Sequence, residues 1–188
     1  MSQRRLIPKR LRFYVGCEGK SETAYVSLIR DLGEEQGLRV TIDIDDLSAG
    51  DPLSRVQEAV RRSAHKETGK EHFSGRFLLL DHDQAELNPP KATQAAELAK
   101  RNGLLMIWQY PCHEGLLLRH FEGHQNDCPA NCNLAEKALR KNWPEYQKPM
   151  EKRDLAKRLD FVSVQRAAKV QPDLTSFLEA IGLVLTDG

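Results

Sequence analysis

Arg10-Leu11-Arg12-Phe13-Tyr14-Val15-Gly16-Cys17 runs directly into Glu18-Gly19-Lys20-Ser21-Glu22, and this junction decides the fold. The first eight residues are a short β-type run, and Glu18-Gly19 is a turn signal. Ser21 then opens a helical pattern through Tyr25, Leu28, Ile29 and Leu32, ending at Gly33 or Gly37. Downstream the same alternation repeats. Val40 to Ile44 alternates like a strand, and Asp51-Pro52 starts a helix with Leu53, Val56 and Val60 on one face. Arg76 to Leu80 reads as a buried strand ending in Asp81, Lys91 to Arg101 as a helix, and Leu104 to Tyr110 as a strand broken by Pro111. A further helix carries Glu114, Leu117, Leu118 and Phe121 at i, i+3, i+4 and i+7. Four such β-α pairs predict an α/β domain with a mainly parallel central sheet flanked by helices. Beyond residue 133 the pattern is helical and more polar, an extension that caps the sheet or forms a binding face. No linker separates the parts, so residues 1–188 are expected to form one domain with its core at about 10–122.

The 188 residues are 40% hydrophobic and 29% charged, a globular composition. No stretch approaches the roughly 20 apolar residues of a membrane span, and no apolar segment follows the basic N-terminus as in a secretory signal. The expected compartment is therefore the cytoplasm, where Cys17, Cys112, Cys128 and Cys132 are free thiols or metal ligands. Lys and Arg number 28 against 27 Asp and Glu, a net charge of +1 that argues against a strongly basic nucleic-acid binder. The distribution removes that argument. Residues 1–12 hold five bases (Arg4, Arg5, Lys9, Arg10, Arg12) and no acid; Asp31 to Glu58 holds eight acids and two bases; Lys137 to Lys169 holds ten bases and four acids.

Ligands of open α/β sheets bind beyond the carboxyl ends of the strands, and three predicted strands end in acids. Glu18 follows the first, Asp81 and Asp83 the third, and Glu114 the fourth. On an extended segment Asp81 and Asp83 point the same way with His82 opposite, and Glu22 shares a helix face with Glu18. Five adjoining carboxylates repel one another unless protonated or bridged by a cation. An all-oxygen donor set suits Mg²⁺ or Mn²⁺, which activate water against a phosphodiester. Singly, each acid is as readily a helix cap or a solvated side chain; the three strand ends together favour the metal site.

Val15-Gly16-Cys17-Glu18-Gly19-Lys20-Ser21-Glu22 resembles the EGxx(D/E) opening of Toprim domains, and Leu79-Leu80-Asp81-His82-Asp83 their DxD strand end. Tyr110 to Phe121 (YPCHEGLLLRHF) resembles the NPCFElWlllHF block of RloB-like proteins, with Tyr110, His113 and Gly115 departing from it. The resemblance spans roughly residues 12 to 122 and, more loosely, reaches about 170. It implies a Toprim fold and Mg²⁺-dependent chemistry on DNA or RNA, associated with bacterial restriction and phage defence and with an ATPase partner. It also implies roles: Glu18 as metal ligand or general acid/base at the scissile phosphate, Glu22, Asp81 and Asp83 as metal ligands, and Glu114 as a further one. A lysine from the C-terminal part stabilises the transition state in related nucleases, and Lys148 is the candidate here. A scaffold that binds metal or nucleic acid without cutting is the alternative, and a different Mg²⁺-dependent phosphotransfer reaction a third.

Two motifs fail on inspection. Gly19-Lys20-Ser21 ends like a phosphate-binding loop, but the leading glycine position is Tyr14. His113-Glu114 begins like a zinc-protease motif, but the second histidine position is Leu117. His120, His124, Cys128 and Cys132 recur every four residues, a candidate tetrahedral set for structural Zn²⁺; the alternative is a helical histidine and ordinary loop thiols. Lys137, Arg140, Lys141, Lys152 and Arg153, interleaved with Trp143 and Tyr146, are either a phosphate-tracking surface or a solvated helix face.

Overall fold

The computed structural model describes residues 10–47, 50–69 and 71–183. Strand β1 (Leu11–Cys17) is followed by α1 (Lys20–Glu35), β2 (Val40–Asp46), α2 (Pro52–Glu67) and β3 (Gly75–Asp81). Then come α3 (His82–Leu87), α4 (Pro89–Arg101), β4 (Leu104–Gln109) and α5 (His113–Leu118). The C-terminal part is α6 (Cys132–Asn142), α7 (Lys152–Leu155), α8 (Phe161–Ala168) and α9 (Pro172–Ile181). The four strands pair in parallel in the order β2-β1-β3-β4, the α/β architecture the β-α alternation predicts.

Side-chain alternation along these strands builds two apolar layers, as a parallel sheet covered on both faces requires. Phe13, Val15 and Cys17 of β1, Phe77 and Leu79 of β3 and Ile107 of β4 face one layer, with Tyr25 and Ile29 of α1. Tyr14, Leu78 and Leu80 face the other, with Val56 and Ala59 of α2 and Ala95 and Ala99 of α4. The α2 stripe is rotated from the expected one: Val56 and Ala59 are fully buried, Leu53 and Val60 only partly, and Arg55 takes a buried place beside them. Gly16 lets the layers close, since a Cβ there would lie 2.7 Å from Leu78 Cδ1 and 2.8 Å from Leu47 Cδ1.

The C-terminal segment is less polar in space than in sequence. Trp143, Tyr146, Leu155, Leu159, Val164, Leu174, Phe177 and Leu178 all join the first layer, so α6 to α9 cap that face of the sheet. Two local expectations change. The segment after β3 is not extended: α3 starts at His82, so Asp81 is its N-cap residue and Asp83 lies in its first turn. Helix α5 is also shorter than the apolar spacing implies, ending at Leu118, with Phe121 in the turns beyond.

From β1 the chain passes to β2 on one side, then crosses back to lay β3 on the other. The carboxyl ends of β1 and β3 therefore flank the topological switch point, where open α/β sheets hold their ligands. Glu18 follows β1, and Asp81 ends β3.

Candidate metal and phosphodiester site at the β1–β3 switch point

Parallel pairing of Cys17 with Leu79 brings the next residue of β1 against the end of β3. The Glu18 N–H donates to Leu79 O at 3.2 Å, and Glu18 Oε2 accepts from the Asp81 N–H at 2.9 Å. The other oxygen, Oε1, pairs with Arg55 at 3.1 Å. Burial pushes the Glu18 carboxyl above the usual range, and Glu22 and Asp83 add to that, while the Asp81 amide and Arg55 oppose it. Asp81 is pushed up to about 9, by burial first and then by Glu18, Glu22, Asp83 and Glu114. The other four acids of the expected constellation thus all act on the Asp81 carboxyl. Glu22 itself is buried in the first turn of α1.

The fourth strand end arrives through α5. Glu114 is 1% exposed. Its Oε1 accepts from Lys148 Nζ at 2.7 Å and from Tyr146 Oη at 2.8 Å, and its Oε2 from Cys112 Sγ at 3.1 Å. Burial alone would raise its pKa; these bonds outweigh it and hold the carboxylate at about 2. Burial likewise opposes the Lys148 charge, but Glu114 reverses the effect and raises that ammonium's pKa. The segment bearing Lys148 is tied down beside α1 by a bond from the Met150 N–H to Ser21 Oγ at 3.2 Å. Asp83 is held from both sides, its N–H donating to Pro111 O at 3.0 Å and its Oδ2 accepting from Cys132 Sγ at 3.2 Å. A cavity of about 470 Å³ opens here, lined by Glu18, Lys20, Glu22, Arg55, Asp81 and Lys148.

The fit of a divalent cation turns on two atoms. Asp81 Oδ1 and Asp83 Oδ1 are buried and have no hydrogen-bond partner. Such oxygens are costly unless something positive meets them, and an oxygen-only donor set is what Mg²⁺ or Mn²⁺ accepts. Among the described residues, no three acidic, histidine or cysteine side chains stand close enough as they are to enclose an ion. Arg55 and Lys148 neutralise Glu18 and Glu114 where they stand, so a cation bound by those two acids would compete with both.

A model of RloB-like proteins matches residues 13–178. The chain belongs to the RloB-like family. The match extends past the three acidic blocks and takes in the helices that bury Tyr146 and deliver Lys148. Comparison with curated proteins gives no match.

The remaining expected residues fall elsewhere in this RloB-like chain. The zinc set is not gathered. His120 is buried with Nε2 against Tyr25 Oη and Nδ1 against Leu116 O, both at 3.0 Å. His124 Nδ1 pairs with Asp127 at 2.7 Å, Cys128 lies 3.9 Å from Arg119, and Cys132 is on Asp83. His120 thus belongs to the core, and the cysteines are free thiols, as are Cys17 and Cys112. On the expected basic surface, Trp143 and Tyr146 are buried at 3% and 0% exposure and cannot serve as stacking platforms. Arg140 pairs with Glu136, Lys152 with Asp31, and Arg153 with Glu151 and Asp154. Lys137 and Lys141 line an open groove with Leu134. At the other end Arg12 pairs with Asp43 and covers the Phe73 ring, a structural use; Arg4, Arg5 and Lys9 lie outside the described residues.

Sequence reasoning missed Arg55, the bond from Tyr146 to Glu114 and the Cys132 contact to Asp83. Arg55 had a signal, since it adjoins Val56 and stands four residues before Ala59 on the apolar side of α2, where a charge needs a partner. Nothing in the spacing pairs Cys132 with an acid 49 residues earlier.

Proposed function

We propose that this RloB-like protein is a Toprim-type, Mg²⁺- or Mn²⁺-dependent nuclease that hydrolyses phosphodiester bonds of DNA or RNA. The observation that carries the reading is the pair of partnerless buried oxygens, Asp81 Oδ1 and Asp83 Oδ1, within a five-acid group that two cationic side chains neutralise only in part. Asp81, Asp83 and Glu18 would hold the metal, with Glu22 and Glu114 completing the acidic set. The bound cation supplies an activated water and charge stabilisation at the leaving oxygen. Glu18, anchored by the Asp81 amide, would act either as a metal ligand or, in its place, as the general acid/base at the scissile phosphate. Lys148 keeps its charge and is half exposed, so Nζ can move from Glu114 onto a phosphoryl oxygen. Lys20, on the cavity wall, adds a positive rim for a polyanion.

The resemblance further suggests a cytoplasmic phage-defence role gated by an ATPase partner. Among the described residues no helix is long and apolar enough to cross a membrane. A catalytically silent binding module is the second reading, favoured by the Arg55–Glu18 and Lys148–Glu114 pairs that occupy two of the five acids. Incubation with Mg²⁺ or Mn²⁺ and plasmid, single-stranded DNA or tRNA separates the two. The nuclease reading expects cleavage that is lost in Glu18→Gln and Asp81→Asn. No cleavage of any substrate, with the partner ATPase present, would leave the silent module.

A further inference from the structure

On the β4 side of the acids lies a second cavity, of about 270 Å³, lined by His82, Glu86, Tyr110, Pro111, Arg119 and Pro129. Of the four tyrosines, Tyr14, Tyr25 and Tyr146 are fully buried, and Tyr110 is 41% exposed. His82 lies over the Tyr110 ring, with centroids 4.2 Å apart and planes tilted by 33°, and meets Trp108 edge-on at 5.7 Å. Two π-systems, His82 and Tyr110, therefore line a cavity that holds the volume of about nine waters, room for one planar heterocycle, with Trp108 supporting His82 from the side. The wall is tied to the acidic site. His82 stands between Asp81 and Asp83, Asp81 pairs in register with Gln109, the residue before Tyr110, and Pro111 O holds the Asp83 N–H. Adjacent strands lie about 4.8 Å apart, so the ring sits within one nucleotide's reach of the acids.

The charges decide which part of a nucleotide fits. Glu86 pairs with His82 Nδ1 at 3.3 Å, and Arg119 is buried with its guanidinium on Gln171 Oε1. One acid and one base leave no net positive field to draw a second phosphate, whereas aromatic faces suit an unstacked base. We propose that this cavity is a nucleobase subsite, in which Tyr110 stacks on the base of a nucleotide next to the scissile phosphate. The inference rests on the proposed action on nucleic acid and adds how the strand is positioned there.

The test is binding of the full chain to a fluorescently labelled six-nucleotide single strand, in ribo and deoxyribo forms. It is followed by anisotropy with Ca²⁺ and, separately, with chelator. Tyr110→Ala is expected to weaken binding about 5- to 150-fold, the worth of one base–aromatic stack, and Tyr110→Phe to stay within about twofold of wild type. Moving an abasic position along the strand should cost the wild type a similar factor at one position, and Tyr110→Ala should not register that position. The form, ribo or deoxyribo, that shows the pattern identifies the strand type. Wild-type affinity in Tyr110→Ala, or no binding by the wild type, overturns the subsite. Cleavage lost in Asp81→Asn but unchanged in Tyr110→Ala would overturn the subsite while leaving the nuclease reading in place.

Discussion

Replacing Lys148 with Met keeps most of the unbranched side chain and removes its charge from a carboxylate that is 1% exposed. Burial opposes ionisation of Glu114, and the bonds from Lys148, Cys112 and Tyr146 overcome it, giving a pKa of about 2 against an ordinary 4.5. That gap of about 2.5 corresponds to about 3 kcal/mol at 1.36 kcal/mol per unit. Cys112 and Tyr146 remain in the variant, and Lys148 is 53% exposed, so solvent screens part of its share. The expected loss of folding stability at pH 7 is therefore about 2 kcal/mol. Because the folded-state pKa is depressed, this stabilisation is complete above about pH 4.5 and disappears as pH falls through 2. By pH 3 the difference between wild type and Lys148→Met should have shrunk by more than half. Urea unfolding of both proteins at pH 7 and pH 3 checks this. Equal destabilisation at both values, or none at pH 7, would refute the ion-pair account of Glu114. If Lys148 also serves the phosphoryl oxygen, the same variant loses about 10²-fold in cleavage rate at pH 7.

Three further perturbations have defined outcomes. His120 is buried against Tyr25, and that burial holds its pKa down at about 4 against 6.5. About 3 kcal/mol of stability is thus present above pH 6.5 and lost as pH falls to 4; urea midpoints across that range should show the loss in wild type and a flatter profile in His120→Gln. Arg55→Gln leaves Glu18 buried without its cation at a side-chain pair only 9% and 15% exposed, so thermal unfolding should report a loss of about 3 kcal/mol. Gly115→Ala puts a Cβ against Tyr110 O and 2.6 Å from Pro111 Cδ, a clash expected to cost about 1–3 kcal/mol in chemical denaturation.

The α/β class was legible because four strands and their helices carry their own period, from Phe13-Tyr14-Val15 into Tyr25 and Ile29, and from Phe77 to Leu80 into Ala95 and Ala99. The acids were legible because strand ends are where a parallel sheet presents side chains, and Glu18, Asp81 and Glu114 all stand there. What failed depended on contacts far apart in sequence. The helical start of α3 at His82 replaces the extended geometry that would point Asp81 and Asp83 the same way. The regular spacing of His120 to Cys132 does not bring the four side chains together, because His120 is held in the core by Tyr25, 95 residues earlier. Trp143 and Tyr146 looked like an aromatic-basic surface because the sheet they cover, on strands some 40 residues and more upstream, cannot be seen from their own neighbourhood.

The central claim is that the β1–β3 switch point holds a divalent cation, and anomalous diffraction from crystals grown with Mn²⁺ tests it most directly. The account predicts a peak bounded by Glu18, Asp81 and Asp83, with Asp81 Oδ1 and Asp83 Oδ1 turned toward it, and no peak in Asp81→Asn. A protein that cleaves nucleic acid with Mn²⁺ while showing no density between those three carboxylates would contradict it.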